Sequence, residues 1–406
     1  MRFPLVIAPL VLMFTACSDS GNGLLGGGEP PVTDDATVAV VALRAADFSS
    51  GAHAVIRAAD NTIDNNLDPD GSDMSIRADR DGFFRVGRLF GGSDANAISR
   101  YTLDNPGLPQ STYSTQDAAR PDEGSNPYDI IRISDDRAYV LRYGSARLWV
   151  VDPEASSEIG FKKGEIDLSA FDSDGIPEMV AGVIAAGRVW VVLQRLTNFS
   201  ADRDSMLVAI DTATNTLVDL DLSTAAVDGL TLPVRNAVDI RVSNDGASLL
   251  VLGIGSADFD AQFNATPRYD GGLVQVDLAN LNTRLLLDDG TSENAPFGQF
   301  AAFTQDRQDT LWLIAGDADF GGADRLFRID PSAATASTAG LPQSTQNVEI
   351  STLAASPAGD LWLGLAGNNP GLLRFDPRTG ATQPLLLNLV PINIDFVIRT
   401  DSAAVR

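Results

Sequence analysis

The stretch Trp149-Val-Val-Asp152-Pro153 is a short apolar run that stops on an aspartate and turns. It recurs as Val208-Ala-Ile-Asp211-Thr, Val274-Gln-Val-Asp277-Leu, Phe327-Arg-Ile-Asp330-Pro and Leu373-Arg-Phe-Asp376-Pro. Tyr101-Thr-Leu-Asp104 and Ile56-Arg-Ala-Ala-Asp60 are weaker copies. The aspartates stand at 60, 104, 152, 211, 277, 330 and 376, at spacings of 44, 48, 59, 66, 53 and 46 residues. Such a run reads as a β-strand, and aspartate ends it because its short carboxylate accepts nearby backbone N–H groups in a turn. A second signal, a turn leading into an apolar strand, lies upstream of most copies: Ser134-Asp-Asp-Arg-Ala-Tyr-Val140, Ala186-Gly-Arg-Val-Trp-Val191, Ser243–Val251, Asp309-Thr-Leu-Trp-Leu313 and Ser356–Leu363. Trp190, Trp312 and Trp362 take the same place in this second strand, with Trp149 in a third, which marks all four as core packers.

Three or four short strands per unit, repeated seven times, predict an all-β fold, a seven-bladed β-propeller. A blade cannot bury both faces alone, so the ring must close. Thr37–Arg44 and Ala52–Ala59 supply middle strands of one blade, while Ile392–Arg399 has no later partner, so the C-terminal strand is expected to become the innermost strand of the N-terminal blade. Because the first two repeats are weak, six blades is the alternative. The composition agrees: 46 aspartates against eight glutamates, two lysines, 36 glycines and 21 prolines suit turns far better than helix surfaces.

The blade Asn126-Pro-Tyr-Asp129-Ile-Ile-Arg-Ile-Ser-Asp-Asp-Arg-Ala-Tyr-Val-Leu-Arg-Tyr-Gly-Ser145, continuing to Leu148-Trp-Val-Val-Asp-Pro153, resembles the YVTN-type repeat of surface-layer and lactonase-like propellers. Tyr139-Val140-Leu141-Arg142 stands where that family carries its name tetrapeptide. The motif is crisp in this blade alone. It implies the fold more strongly than a function, because propellers host both enzymes and pure binding proteins.

Residues 1–16 read as a signal peptide: Arg2, then an uncharged apolar run to Ala16, too short to span a bilayer. The segment ends Phe14-Thr15-Ala16-Cys17, which resembles a bacterial lipobox and implies acylation of Cys17, the only cysteine of the chain. A plain secretory signal with an incidental cysteine is the competing reading. Ser18 after the cysteine favours the outer membrane over inner-membrane retention, with the side of that membrane open. Residues 17–36 are then a Gly/Ser/Pro/Asp-rich tether and 37–400 a single propeller domain.

The 54 acidic and 29 basic side chains, a net −25, exclude nucleic-acid partners. One cysteine and one histidine exclude an internal disulfide, thiolate clusters and multi-histidine metal sites. No G-x-S-x-G, H-E-x-x-H or phosphate-loop signal is present. His53 alternates within a strand and reads as a packing residue rather than a catalyst.

Inserted polar loops between the second and third strands (Gly91–Asn96, Asn198–Asp204, Gly253–Tyr269, Gly316–Asp324) and between blades (Asp64–Asp73, Gln116–Asn126, Asp172–Glu178, Asp228–Leu230) are expected to share one wide acidic face. The residue leading into each innermost strand is polar: Asp73, Asn126 with Asp129, Glu178, Asn236 with Asp239, Gln299, Glu349 and Asn393. Converging oxygen ligands suit Ca²⁺ at or near Glu178 and Glu349, against a water-filled mouth lined by solvated polar groups. The loop Asn66–Asp73 partly matches an EF-hand, but its twelfth position is Arg77 where a glutamate is needed.

The leading functional expectation is a monomeric, non-enzymatic, outer-membrane-anchored propeller that binds a ligand or partner through its loop-rich face. One form of this passes a nutrient to an outer-membrane transporter. The alternatives are a calcium-dependent lactonase-like hydrolase, with carboxylates such as Glu178 or Asp129 moving protons, and a structural scaffold bound to envelope proteins.

Overall fold

The computed structural model describes residues 33–260, 265–316, 324–339, 341 and 348–399. Seven antiparallel four-stranded sheets follow one another along the chain. Blade 1 joins the two ends: Val390–Ile398 is innermost, followed outward by Thr37–Arg44, Gly51–Arg57 and Thr62–Asp70. The innermost strands of blades 2 to 7 are Met74–Ala78, Pro127–Ser134, Met179–Ala185, Ala237–Val242, Gln299–Gln305 and Ile350–Ala355. Each of the seven touches the next in a closed circuit. The ring is therefore a seven-bladed β-propeller, not a six-bladed one. Closure runs from Thr37↔Ile398 to Arg44↔Val390, with a bulge after Ala42.

Why these strands stack is visible in their burial. Val38 to Leu43 is buried at every position, because both faces of the sheet are covered by neighbouring blades. Seven apolar clusters lie one at each blade interface; that between blades 7 and 1 brings Trp362, Leu372 and Leu385 against Val41, Leu43 and Ile394. Trp190, Trp312 and Trp362 sit in second strands and are buried, and their indole N–H groups bond to Ala185 O, Asp306 Oδ2 and Asp360 Oδ2 at 3.2, 2.8 and 3.1 Å. Trp149 lies in a third strand between two cations, Arg142 at 4.4 Å and Lys162 at 4.3 Å from its ring.

The repeated aspartate has a mechanical explanation. Asp152, Asp211, Asp277, Asp330 and Asp376 each accept, at Oδ1, the N–H two residues on, at 2.8 to 3.0 Å, and Asp60 does the same for Thr62. After Asp211, Asp277 and Asp376 the chain returns through a left-handed residue, Asn215, Leu281 or Gly380, whose N–H reaches the aspartate carbonyl. Because successive strands alternate in direction, these third-to-fourth-strand turns occupy the face opposite the inserted loops. The repeat aspartates therefore do not add to the loop-rich face, and negative charge is carried on both faces of the ring.

Three further departures concern the loops. Asp64–Asp70, expected as a loop, forms most of the outermost strand of blade 1, which accommodates its loop-like composition through two register shifts and left-handed Asn66 and Asp68. Leu230–Thr231 pairs with Met206–Leu207, adding a short fifth strand to blade 4. Within Gly253–Tyr269, Ala257–Phe259 and Ala265–Pro267 form a small hairpin. Most of the Gly316–Asp324 loop, and Cys17 with the segment before it, lie outside the described residues.

Candidate site at the mouth of the ring axis

In five blades, the residue leaving the second strand donates its N–H to the carbonyl of the residue leading into the first. The pairs are Arg88 to Asp73, Tyr143 to Asn126, Gln194 to Glu178, Ile254 to Asn236 and Ala366 to Glu349, at 3.0 to 3.1 Å. These bonds make Asp73, Asn126, Glu178, Asn236 and Glu349 structurally equivalent, as their sequence positions had suggested. With Gln299 at the head of its strand, they form a ring of half-exposed polar side chains around one end of the axis. Asn126, Glu178 and Asn236 share a left-handed backbone, with φ of 46, 49 and 50°. Asparagine tolerates this conformation; glutamate does so at a cost, so Glu178 is strained where its neighbours are not.

Around this ring runs a connected polar arc. The Arg88 guanidinium lies 4.1 Å from the Tyr128 ring, and Tyr128 stacks on Tyr143 with centroids 4.2 Å apart. The Tyr143 hydroxyl donates to Gln194 Oε1 at 2.8 Å, Gln194 Nε2 donates to Asn236 Oδ1 at 2.8 Å, and Asn236 Nδ2 donates to Gly255 O at 3.1 Å. The arc crosses blades 2 to 5 with every donor oriented the same way. Burial holds both tyrosine hydroxyls protonated, pushing Tyr128 up to about 12 and Tyr143 well above its ordinary value.

Glu178 sits beside this arc and is electrostatically coupled to Tyr143. Its Oε2 accepts Leu196 N–H at 2.9 Å, yet burial, reinforced by Asp174 and Asp172, pushes its pKa up to about 8. At neutral pH it is largely a carboxylic acid, able to donate a proton. Across the mouth, Arg44 faces Glu349 and Asp73 electrostatically and lies 4.0 Å over the Phe48 ring. Burial raises Glu349 as well, with Arg44 opposing it. Asp289, between blades 5 and 6, is pushed up to about 6 by burial although Gly271 N–H bonds to it at 3.0 Å.

Beneath the mouth the axis is plugged. Arg77, on the first strand of blade 2, reaches Asp129 of blade 3 at 3.5 Å and Gly182 O of blade 4 at 3.4 Å, and it acts electrostatically on Asp239 of blade 5. One side chain can meet three further blades only on the axis. Arg241 bonds Asp239 Oδ2 at 3.2 Å, and both aspartates are almost fully buried. Gly182 lets the strands approach here: a Cβ would stand 2.9 Å from the Trp190 carbonyl oxygen and 2.5 Å from Ile131 Cδ1. Asn393 belongs to this lower level too. Its Oδ1 accepts Ile76 N–H at 2.6 Å, while Asp395 accepts Ala78 N–H at 2.6 Å, so these side chains stitch the first strands of blades 1 and 2.

The structure thus gathers Asp73, Asn126, Glu178, Asn236, Gln299 and Glu349 at the mouth and places Asp129, Asp239 and Asn393 below it. The sequence reading missed Arg44, Arg88, Tyr143 and Gln194. Arg88, Tyr143 and Gln194 share the position directly after the second strand of their repeats, and Arg44 ends the second strand of blade 1. Among the described residues, no three His, Cys, Asp or Glu side chains gather as ligands for a metal ion. Glu178 and Glu349 stand at the heads of the first strands of blades 4 and 7, each with its own neighbours. His53 is buried, edge-on to Phe83 and Tyr101, with Nε2 2.6 Å from Pro106 O, and is a packing residue.

No family model and no curated protein matches the chain. Solved structures do match its ring. A protein from Lactobacillus plantarum is similar with a TM-score of 0.55 at 11% identity, over 89% of this chain and 99% of that one. Two proteins provisionally described as 6-phosphogluconolactonases are similar over their whole lengths. That from Bacteroides fragilis has a TM-score of 0.54 at 12% identity over 91% of this chain, and that from Bacteroides uniformis 0.53 at 13% over 89%. At such identities the likeness is one of fold.

Proposed function

We propose that this chain is a binding propeller, held at the bacterial outer membrane by lipid on Cys17, which takes a small polar ligand into the mouth. The observation that carries the reading is the cup itself. A ring of half-exposed amides and acids, flanked by Arg44 and Arg88, lies over an axis blocked by the Arg77–Asp129 contact. A guest entering from the loop-rich face stops there rather than passing through. Polar groups held in fixed places are what orients a bound small molecule.

A second reading has one specific observation in its favour. Glu178 holds its proton to about pH 8, which equips it to protonate a leaving oxygen, as hydrolysis of a lactone demands. The neighbours described as lactonases share the ring that would present such an acid. The two readings separate in one experiment on the mature chain. A thermal-shift panel of sugar lactones, phosphorylated sugars, corrinoids, siderophores and calcium is run beside mass spectrometry of co-purifying molecules and product analysis of each lactone. A stabilising compound recovered intact supports binding, turnover of a lactone transfers the conclusion to hydrolysis, and no shift with any compound removes the mouth as a ligand site. Incorporation of a labelled fatty acid that is lost in Cys17→Ser tests the anchor.

A further inference from the structure

On the loop-rich face, blade 4 carries a turn that departs from its own chemistry. Thr197 and Ser200 exchange both backbone bonds, at 2.9 and 3.0 Å, enclosing Asn198 and Phe199 with φ of 49 and 66°. This is the two-residue hairpin turn in which both residues must be left-handed, and Asn-Gly is its usual occupant. Phenylalanine stands in the glycine position and is 80% exposed. The fold gains nothing from either property: a left-handed L-residue costs about 1–2 kcal/mol, and the exposed ring forfeits its burial.

Phe199 belongs to a continuous wall. Arg203 ties its loop to the preceding inter-blade loop, through Ser173 Oγ at 3.0 Å and Asp172 at 2.8 Å. Arg235 bridges onward from Asp204 at 3.5 Å to Asp270 of blade 5 at 3.3 Å. Ile176 and Phe259 rise from the same wall, 38% and 46% exposed. Each apolar tip has acid beside it: Asp174 before Ile176, Asp202 and Asp204 after Phe199, Asp258 and Asp260 on either side of Phe259, all exposed. Asp172, Asp174, Asp202, Asp204, Asp258, Asp260 and Asp270 outnumber Arg203, Arg235 and Arg268, so the wall is net negative even with its internal ion pairs made.

We infer that this wall docks a cationic amphipathic segment of a partner protein, a stretch in which lysine or arginine alternates with apolar side chains. Apolar tips would take the apolar positions, with Phe199 as the central anchor, and the flanking carboxylates would take the basic ones. An anionic lipid surface is the poorer match, because the same carboxylates repel it. The inference rests on the reading that the loop-rich face binds, and it names the kind of partner that face takes beside the mouth.

The test uses the whole mature chain and an alternating Lys-Leu peptide, with its Glu-Leu counterpart and phosphatidylglycerol vesicles as comparators, titrated at 0.15 M salt. The cationic peptide is expected to bind, and Phe199→Gly to weaken it about tenfold or more while raising the melting temperature. Phe259→Ser should weaken it in the same direction, and Asp104→Asn on the opposite face should leave it unchanged. Equal binding by wild type and Phe199→Gly would reduce the attraction to bulk charge and overturn the proposal, as would binding of vesicles in preference to peptide. The small-molecule panel reads the mouth independently, so a failed wall does not imply a failed mouth.

Discussion

Arg77 Nη1 stands 3.5 Å from Asp129 Oδ2, and both side chains are 7% exposed. Removing one partner of a buried pair leaves the other charge uncompensated, typically at about 3–5 kcal/mol. Arg77→Met should therefore shift the urea midpoint by a loss of that order, whereas Arg77→Met with Asp129→Leu should recover most of it. A single variant with an unchanged midpoint would show that the plug is not structural.

Glu178 binds its proton more tightly folded, at about 8, than unfolded, at 4.5. Its contribution to stability is complete below the unfolded value and is lost as pH rises through the folded one. The melting temperature should decline between about pH 5 and 8 for this reason, and Glu178→Gln should flatten that part of the profile. Glu178→Asn, which also suits the left-handed backbone, should raise the melting temperature at pH 8 or above.

His53 behaves in the opposite sense. Burial lowers its pKa to about 4 from 6.5, so it is neutral in the fold and its share of stability is lost as pH falls across that interval. Being the only histidine, it gives one imidazole resonance. That resonance should not move between about pH 5.5 and 8; a midpoint near 6.5 would place the ring in solvent.

The turn aspartates should differ among themselves. Asp277 Oδ1 accepts N–H groups from both Ala279 and Asn280, at 2.8 and 3.2 Å. Asp277→Ala should cost about 1 kcal/mol. Asp104, an exposed residue in the weak second repeat, should lose less than about 0.5 kcal/mol as alanine. Chemical denaturation of the two variants side by side measures the difference.

The ring was legible because its determinants are local and repeated. An apolar strand, an aspartate and a turn recur with period enough to count blades, and an orphan strand at Ile392 pointed to closure. The mouth was half legible. Residues leading into first strands announced themselves as polar, while Arg44, Arg88 and Gln194 looked like ordinary strand ends, since their meeting depends on how blades pack around an axis. Asp129 and Glu178 looked alike in sequence. Three positions of depth separate them: one follows the bulge into the plug, the other stays at the rim. The Asp64–Asp70 strand was hidden because bulges let a turn-like composition pair.

Strand pairing between Val38 and Val397 spans almost the whole chain. Whether made or threaded across a membrane from its N-terminal side, the chain presents Thr37–Arg44 well before Val390–Ile398. Until then the strand Thr37–Arg44 offers an open edge that is apolar from Val38 to Leu43, and blades 2 to 7 can assemble beside it without completing the circle. The vulnerable interval is thus the delay between the arrival of the two strands that close the ring.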